Sequence, residues 1–178
     1  MSSLSVILGC MYSGKNTELL RRVSRYYSIG IDVLLINHIN DTRTGKSVKT
    51  HSNMVKSALK IDDLMKVVKS DIFNKCDIIA IDEAHFFTDL LEFVLYCETH
   101  NKKIIVSGLD GDYKREPIGD ILKLIPLCDD VVKLKALDMV DKDGSSAIFS
   151  KRIVESDQQI LIGAQESYIA VSRKNYFP

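Results

Sequence analysis

Two glycines and a lysine near the start of the chain have the spacing of a phosphate-binding loop. Residues 9–17 read GCMYSGKNT and follow the pattern GxxxxGK plus Ser or Thr, except that Asn16 replaces the hydroxyl residue. In this pattern backbone N–H groups surround phosphate oxygens, and Lys15 reaches the outer phosphates. An amide oxygen binds Mg²⁺ less well than the Ser or Thr hydroxyl that this pattern usually has at the position of Asn16. The predicted phosphate-binding residues are Gly9, Met11, Tyr12, Ser13, Gly14, Lys15, Asn16 and Thr17.

A pair of carboxylates, Asp82 and Glu83, follows the apolar run IIAI at residues 78–81. Ligands of open α/β sheets bind at the carboxyl ends of the strands, so this pair is predicted to face the phosphate loop. Asp82 is predicted to hold Mg²⁺ together with Asn16. Glu83 is predicted to be the catalytic base that accepts a proton from an attacking hydroxyl.

The residues Asp82-Glu83-Ala84-His85 also spell the DEAH tetrad of some helicases. Such motors need two domains of this kind, and 178 residues supply one. A chain with zero net charge also gives little support for a groove that tracks a nucleic-acid strand. A DEAH-type NTPase remains an alternative hypothesis.

Apolar strands that alternate with amphipathic helices must position these residues. We predict strands at residues 5–8, 32–37, 76–81, 103–109 and 130–137, and helices at 15–28, 61–69 and 88–99. The third helix is predicted to be capped by Thr88, with Leu91, Val94 and Leu95 facing inward. Residues 38–54 are predicted to form a long loop. This order indicates an α/β fold, a parallel sheet with helices on both faces.

The pattern changes near the C-terminus, where polar turns and short strands replace clear helices. We therefore predict a nucleotide-binding core at residues 1–137 and a small β-rich unit at residues 138–178.

Composition narrows the function classes. Lys plus Arg equals Asp plus Glu at 24 each, so no nucleic-acid partner or membrane surface is expected. The N-terminus has no secretory pattern, no apolar run reaches the length of a membrane span, and the four cysteines form no CxxC pair. We expect a cytoplasmic protein with reduced thiols.

Motifs along the whole chain resemble those of one family. Residues 9–22 (GCMYSGKNTELLRR) are similar to GPMFSGKTTELIRR, and residues 81–87 (IDEAHFF) to IDEGQFF or DEAHFF. Residues 40–43 and 50–52 (NDTR, THS) are similar to a DTR…TH loop, and residues 147–152 (AIFSKR) to ASFTKR. Residues 108–137 and 162–177 have counterparts in the same order. The family that these segments resemble is the type II thymidine kinases of cells and poxviruses.

The resemblance implies a P-loop NTPase (RecA-like) core and a C-terminal lasso that closes over a nucleoside. It places Glu83 at the position of the catalytic base, and Arg43 at that of the loop arginine near the phosphates. It implies ATP-dependent phosphorylation of the 5′-hydroxyl of thymidine with Mg²⁺, a step of deoxynucleoside salvage for DNA synthesis. The substrate-binding residues that it implies are Met11, Asp41, Phe86, Leu109, Tyr113, Ser150, Gln159, Leu161, Gly163 and Tyr168.

The chain departs from the family at a zinc site. The family's four cysteines correspond to Asp138, Asp141, Ser172 and Asn175, a poor ligand set for zinc. No structural zinc is expected, so packing on the core or on other subunits must stabilise the unit. The resemblance also implies a homotetramer and thymidine triphosphate as a feedback inhibitor. Asn16 is a second departure from the family, since it replaces the hydroxyl residue of the phosphate loop. A nucleotide-binding homologue with weak or lost kinase activity is therefore a further alternative to an active kinase.

Overall fold

The computed structural model describes residues 1–41, 48–49, 55–56, 58–159, 161 and 165–177. Its core is a six-stranded parallel sheet with the strand order β5-β2-β6-β7-β1-β8. The first eight strands of the chain are β1 Ser3–Gly9, β2 Val33–His38, β3 Val48–Lys49, β4 Val55–Lys56, β5 Leu59–Ile61, β6 Ile78–Ile81, β7 Lys103–Leu109 and β8 Asp130–Leu134. Strands β3 and β4 pair separately with each other.

Helices cover both faces of the sheet because the central strands are apolar on both sides. The helices are α1 Lys15–Tyr27, α2 Asp71–Lys75 and α3 Leu90–Thr99, with 3₁₀ turns at Leu64–Lys69, Ala84–Phe86 and Ile121–Leu127. In β1, Val6 packs into the hydrophobic cluster under α3, whereas its neighbour Ile7 packs into the cluster under α1. This alternation is the period-two geometry of a strand buried on both faces. The predicted α/β architecture is confirmed.

Two of the predicted helices begin elsewhere. Ile61 lies in strand β5, and the following helix is a 3₁₀ turn that starts after Asp63, whose side chain accepts from the Lys66 N–H. The third helix begins at Leu90, so Thr88 does not cap it. Its preceding residue, Asp89, instead accepts from the Met65 N–H at 2.8 Å and so joins two elements.

The buried face of α3 also differs from the prediction. Leu90, Phe93, Val94 and Cys97 are buried, whereas Leu95 is 43% exposed. The short apolar helix LLEFVLYCET carries leucines on several sides, and only contact with the sheet decides which of them point inward.

The predicted fifth strand is two strands. Strand β8 ends at Leu134, and Ala136–Leu137 forms β9, which pairs with β10 Ser146–Ala147 outside the main sheet. In the predicted loop 38–54, β2 extends through His38 and Val48–Lys49 pairs with Val55–Lys56. Residues 42–47 and 50–54 of that loop lie outside the described residues.

A small β-rich unit follows the core. It contains β9 and β10, the antiparallel pair β11 Phe149–Arg152 and β12 Tyr168–Val171, a 3₁₀ turn at Gln165–Ser167, and the short helix α4 Arg173–Tyr176. Its apolar centre joins Ala136, Ala147 and Ala170 to Cys10 of the core. The division after residue 137 stays a prediction.

None of the four cysteines, all of them in the described part of the chain, forms a disulfide. Burial raises the pKa of the Cys97 thiol to about 12, which makes it a poor nucleophile. Within the described residues no helix has the length and apolar character that crossing a membrane requires.

The four positions that correspond to the family's cysteines, Asp138, Asp141, Ser172 and Asn175, lie close together around the Asp138 carboxylate. Asp138 Oδ1 accepts from the N–H groups of Val140 at 2.8 Å and Asp141 at 3.0 Å, and from Asn175 Nδ2 at 3.0 Å. Its Oδ2 accepts from the Ser172 N–H at 2.5 Å. Asp138 therefore links the same two chain segments that a metal would link. The expectation of no structural zinc stays a prediction.

Burial acts to raise the pKa of Asp138, but the hydrogen bonds from Ser172, Asp141 and Val140 outweigh it and hold that pKa below its ordinary range. A carboxyl whose pKa is depressed by folding stabilises the native state above its unfolded-state pKa. That stabilisation is lost as the pH falls from about 4 through the folded-state pKa.

We expect Asp138→Asn to lower the melting temperature at pH 7 by about 5 °C, because an amide nitrogen would face donors that the carboxylate now accepts from. Thermal unfolding at neutral pH measures this change, and Asp143→Asn, an exposed carboxylate that accepts from the Ser145 N–H, is the matched control. The difference from wild type should shrink as the pH falls below about 4, because the Asp138 carboxyl of the unfolded chain then binds a proton that folding must release. Equal melting temperatures for Asp138→Asn and wild type at pH 7 would contradict a central role for Asp138.

Candidate active site

The carboxyl ends of four parallel strands bring the predicted site residues to one edge of the sheet. Gly9 at the end of β1 pairs with Leu109 at the end of β7, and Ile81 of β6 pairs with Val106 of β7. The loop after β1 and the acidic pair after β6 therefore leave the sheet on the same side, with β7 between them. This is the edge at which open α/β sheets bind ligands.

The loop between β1 and α1 adopts a conformation that needs its glycines. Gly9 and Gly14 have φ values of 152° and 83°, and Tyr12 also has a positive φ of 64°. A Cβ on Gly9 would lie 2.6 Å from both the Leu134 carbonyl oxygen and Ser13 Oγ. Ser13 Oγ donates to the Cys10 carbonyl at 2.8 Å, which tightens the turn. Left-handed residues in such a loop turn successive N–H groups toward one concavity, an arrangement that binds anions.

Lys15 and Thr17 begin helix α1 directly after this loop. Lys15 is buried, and its Nζ donates to the Cys10 carbonyl at 2.8 Å, so the ammonium lies inside the loop. The first turn of α1 adds backbone N–H groups that have no acceptor within the helix, and the positive end of the helix dipole. The geometry suits the phosphates of a nucleotide.

Asn16 connects the loop to the acidic pair. Its Nδ2 donates to Asp82 Oδ2 at 2.6 Å, and Asp82 Oδ1 accepts from the Glu83 N–H at 3.0 Å. An amide oxygen and a carboxylate are oxygen ligands of the type that Mg²⁺ prefers, so the residues fit this ion. Asn16 therefore orients Asp82 through its amide nitrogen, and this bond does not use its amide oxygen.

Glu83 is held in a conformation that its neighbours must enforce. It has φ 49° and ψ 39°, a left-handed conformation that costs a non-glycine residue about 1–2 kcal/mol, and it is only 7% exposed. Strained backbone of this type is concentrated at functional sites. The turn is closed by the Phe86 N–H, which donates to the Glu83 carbonyl at 3.1 Å.

His85 lies behind Glu83. Its Nδ1 accepts from the Leu109 N–H at 3.2 Å, so the ring proton is on Nε2, which lies 3.5 Å from Glu83 Oε2. Gly108 and Gly119 permit this approach, since a Cβ on them would lie 3.1 Å from His85 Nδ1 and 2.4 Å from its carbonyl oxygen. The histidine is buried, and its Nε2 faces the Glu83 carboxylate.

The structure also brings several predicted nucleoside-binding residues to this edge. The Met11 N–H donates to Ser150 Oγ at 2.9 Å, and the Tyr12 hydroxyl donates to the Tyr168 carbonyl at 3.2 Å. The phosphate loop and the C-terminal unit are therefore in direct contact. Half-buried Phe86 stacks on His38 with ring centroids 5.2 Å apart.

Two predicted residues have their side chains engaged within the protein. Gln159 Nε2 donates to Asp112 Oδ2 at 3.1 Å, which ties the C-terminal segment to the loop after β7. Buried Asp41 accepts from Asn37 Nδ2 at 2.8 Å at the end of β2. These bonds fix both side chains within the protein, and their contact with a nucleoside stays a prediction.

Of the remaining predicted residues, three lie in the described part of the chain and two lie outside it. Leu109 ends β7, Tyr113 follows in the next loop, and the Leu161 N–H donates to the Tyr168 hydroxyl at 3.2 Å. Arg43 and Gly163 lie outside the described residues.

Sequence reasoning missed Arg152, Asp112 and Asn37. Asp112 accepts from the N–H groups of Lys114 and Glu116 at 2.8 Å each and so shapes the loop that carries Tyr113. No motif marks Asn37 or Asp112: they bond to Asp41, Lys114 and Glu116, which lie two to four residues away, and short polar spacings of this kind are common in turns and loops. Arg152 does end the segment AIFSKR, whose similarity to ASFTKR is the one signal that could have drawn attention to it.

Comparison with known proteins agrees with this geometry. A family model described as thymidine kinase matches residues 2–176. The chain belongs to the thymidine kinase family.

Relatives in this family come from viruses and plants. The thymidine kinase of sheeppox virus (strain KS-1) is 41% identical over 174 residues, covering 98% of this chain and 96% of that protein. That of vaccinia virus (strain Western Reserve) is 40% identical over 173 residues, covering 97% and 96%. Thymidine kinase a of Arabidopsis thaliana is 40% identical over 179 residues, covering 98% of this chain and 74% of the plant protein.

A solved structure with the same fold lies outside the thymidine kinase family. The flagellar accessory protein FlaH from Methanocaldococcus jannaschii superposes with a TM-score of 0.51 at 16% identity, over 94% of this chain and 88% of that one. At this identity the similarity concerns the fold alone. The predicted P-loop NTPase (RecA-like) fold is confirmed.

We expect Ser150→Ala to lower the free energy of unfolding by about 1–3 kcal/mol, because it leaves the Met11 N–H without the acceptor that holds the phosphate loop against β11. Denaturant unfolding measures the loss. Ser146→Ala, at an exposed position of β10, is the control and should change the free energy by less than about 0.5 kcal/mol. Equal stabilities for the two variants would show that the contact contributes nothing.

Proposed function

We propose that the protein transfers the γ-phosphoryl group of ATP to the 5′-hydroxyl of thymidine, forming thymidine monophosphate and ADP. The observation that carries the proposal is the hydrogen bond from Asn16 of the phosphate loop to Asp82, the residue that precedes the buried Glu83. Membership of the thymidine kinase family supports the choice of substrate.

Phosphoryl transfer needs positioning and charge stabilisation more than covalent chemistry by the protein. The N–H groups of the loop and of the start of α1 bind the phosphate oxygens, and Lys15 carries the positive charge closest to them. Arg43, outside the described residues, is proposed to add a second positive charge. Mg²⁺, held by Asp82 and Asn16, would neutralise charge on the phosphates.

Glu83 acts as the general base. Its carboxylate takes the proton of the 5′-hydroxyl as the oxygen attacks phosphorus, and the bond from the γ-phosphorus to the bridging oxygen of ADP breaks. His85 Nε2–H, 3.5 Å from Oε2, holds one carboxylate oxygen so that the other faces the hydroxyl. Apo distances of this kind often shorten when the substrate is bound.

The C-terminal unit is proposed to bind the nucleoside. Its contacts with Met11 and Tyr12 couple nucleoside binding to the phosphate loop, and a segment closed over the site would exclude water from ATP. Residues proposed to line the nucleoside site are Met11, Phe86, Leu109, Tyr113, Ser150, Leu161, Gly163 and Tyr168. Thymidine triphosphate as feedback inhibitor, a homotetramer and a cytoplasmic location belong to the same proposal.

The decisive experiment measures ADP formation with ATP and Mg²⁺, with and without thymidine. We expect thymidine to drive turnover, and Glu83→Gln to lower kcat by about 10²–10⁴-fold while ATP still binds, because the amide cannot accept the proton. Glu98→Gln, an exposed residue near the end of α3, is the matched control and should retain wild-type turnover.

Each other outcome excludes the kinase. DNA-stimulated ATP hydrolysis without any effect of thymidine would identify a DEAH-type NTPase. ATP binding without either activity would identify a nucleotide-binding homologue that has lost the chemistry.

We expect Asn16→Thr to lower the Mg²⁺ concentration for half-maximal rate by roughly threefold to tenfold, because a hydroxyl is the better ligand at this position. The rate measured against Mg²⁺ at fixed ATP and thymidine tests this expectation. Ser28→Thr, at an exposed position directly after α1, is the control and should leave the Mg²⁺ dependence unchanged. A raised Mg²⁺ requirement in Asn16→Thr would mean that the bond from Asn16 to Asp82 matters more than the ligand type.

A further inference from the structure

Arg152, the last residue of β11, makes the densest set of side-chain contacts in the C-terminal unit. Its Nη1 donates to the carbonyls of Ser156 at 2.9 Å and Gln158 at 2.6 Å. Its Nη2 donates to the Gln159 carbonyl at 3.0 Å and to the Tyr168 hydroxyl at 2.6 Å. One guanidinium group therefore gathers three carbonyls of a segment without regular secondary structure.

The same guanidinium group packs on the core. Its Cζ lies 3.7 Å from the ring centroid of Tyr113 and 5.1 Å from that of Tyr168. A cation stacked on an aromatic ring at this distance is stabilised electrostatically, and the flat guanidinium suits such stacking. Arg152 thus connects three parts of the proposed nucleoside site: the loop after β7, strand β12 and the segment from Ile153 to Gln159.

Arg152 also controls what the Tyr168 hydroxyl can offer. That oxygen accepts from Arg152 Nη2 and from the Leu161 N–H at 3.2 Å, so both of its acceptor positions are used. Toward a ligand it can then act only as a donor. The ligand atom next to it must be an acceptor, such as a sugar or carbonyl oxygen.

A lysine cannot replace these contacts. An ammonium group has three donors around one nitrogen and no flat face, so it cannot reach carbonyls on two sides while it stacks on Tyr113. The spread of the contacts over Nη1 and Nη2 requires the forked geometry of arginine.

We propose that Arg152 is a positioning residue for the nucleoside: it sets the conformation of residues 153–159 and orients Tyr113 and Tyr168, without contacting the reacting atoms. The inference rests on the proposed function, in that it takes this part of the C-terminal unit as the nucleoside side of the site. It goes beyond that function in assigning the geometry of the segment to one side chain.

Steady-state kinetics of Arg152→Lys test the proposal. We expect the KM for thymidine to rise by about 10-fold to 100-fold, because small displacements of binding groups have effects of this size, while the KM for ATP changes less than about twofold. Arg173→Lys is the matched control, since Arg173 also lies over a ring, that of Phe149 at 5.1 Å, but in the short helix α4. The control should keep wild-type values of both constants.

A second measurement needs no activity. The protease Glu-C cuts after Glu155, an exposed residue of the segment that Arg152 holds, and cleavage requires the segment to open locally. We expect cleavage at this bond, followed by mass spectrometry, to be at least about fivefold faster in Arg152→Lys than in wild type or Arg173→Lys. Melting temperatures of the three proteins show whether the change is local.

The outcomes separate the proposals. Wild-type KM values and wild-type cleavage in Arg152→Lys would overturn the inference, and so would equal rises in both KM values with a lowered melting temperature, which indicate a general structural role. If the wild-type protein shows no thymidine-dependent turnover, the proposed function fails. Faster cleavage after Glu155 at an unchanged melting temperature would still support the positioning role of Arg152, and unchanged cleavage would overturn it.

Discussion

The parallel pairing of β6, β7 and β1 is the constraint on which the rest of the molecule depends. In a parallel sheet all carboxyl ends lie at one edge, so the loop after Gly9 and the pair Asp82 and Glu83 must emerge side by side. The two segments are 66 residues apart at the contact between Asn16 and Asp82. Because both faces of these strands are buried under helices, the register cannot slip without exposing apolar side chains. The rigidity of the sheet is what allows a strained residue such as Glu83 to keep its conformation.

The C-terminal unit is hydrogen-bonded to the loop that leaves this edge of the sheet after β1. Cys10, Met11 and Tyr12 each contact a strand of the unit, through Ala147, Ser150 and Tyr168 respectively. The proposed phosphate loop and the strands of the proposed nucleoside site are therefore joined by three hydrogen bonds, each between a side chain and the backbone. In the proposed function, these bonds are the physical route by which nucleoside binding organises the phosphate loop.

Asp138 explains how the unit keeps its shape with the residues that it has. A zinc ion would hold two chain segments by four bonds, and here one carboxylate accepts four hydrogen bonds from those same segments. Charge-assisted hydrogen bonds of this kind are individually weaker than the metal–thiolate bonds that fold small zinc domains outright. Docking on Cys10 and the stacking of Arg152 on Tyr113 add contacts with the core. The C-terminal unit is thus stabilised both by the hydrogen bonds of Asp138 and by its interface with the core.

The sequence by itself determined five of the six strands of the parallel sheet, the phosphate loop and the acidic pair, because apolar periodicity and glycine spacing are local properties. It also identified the family, since motifs resembled the thymidine kinases along the whole chain. Only the tertiary structure decided the roles of Arg152, His85 and Asp138. Each has a partner far away in sequence that becomes a neighbour through the sheet or the docked unit: Tyr113, Leu109 and Ser172 respectively. The start of α3 and its buried face were decided in the same way, because Asp89 bonds to Met65 and the sheet selects which apolar side chains turn inward. Local patterns specify what a segment can be, and packing between segments specifies which contacts it makes.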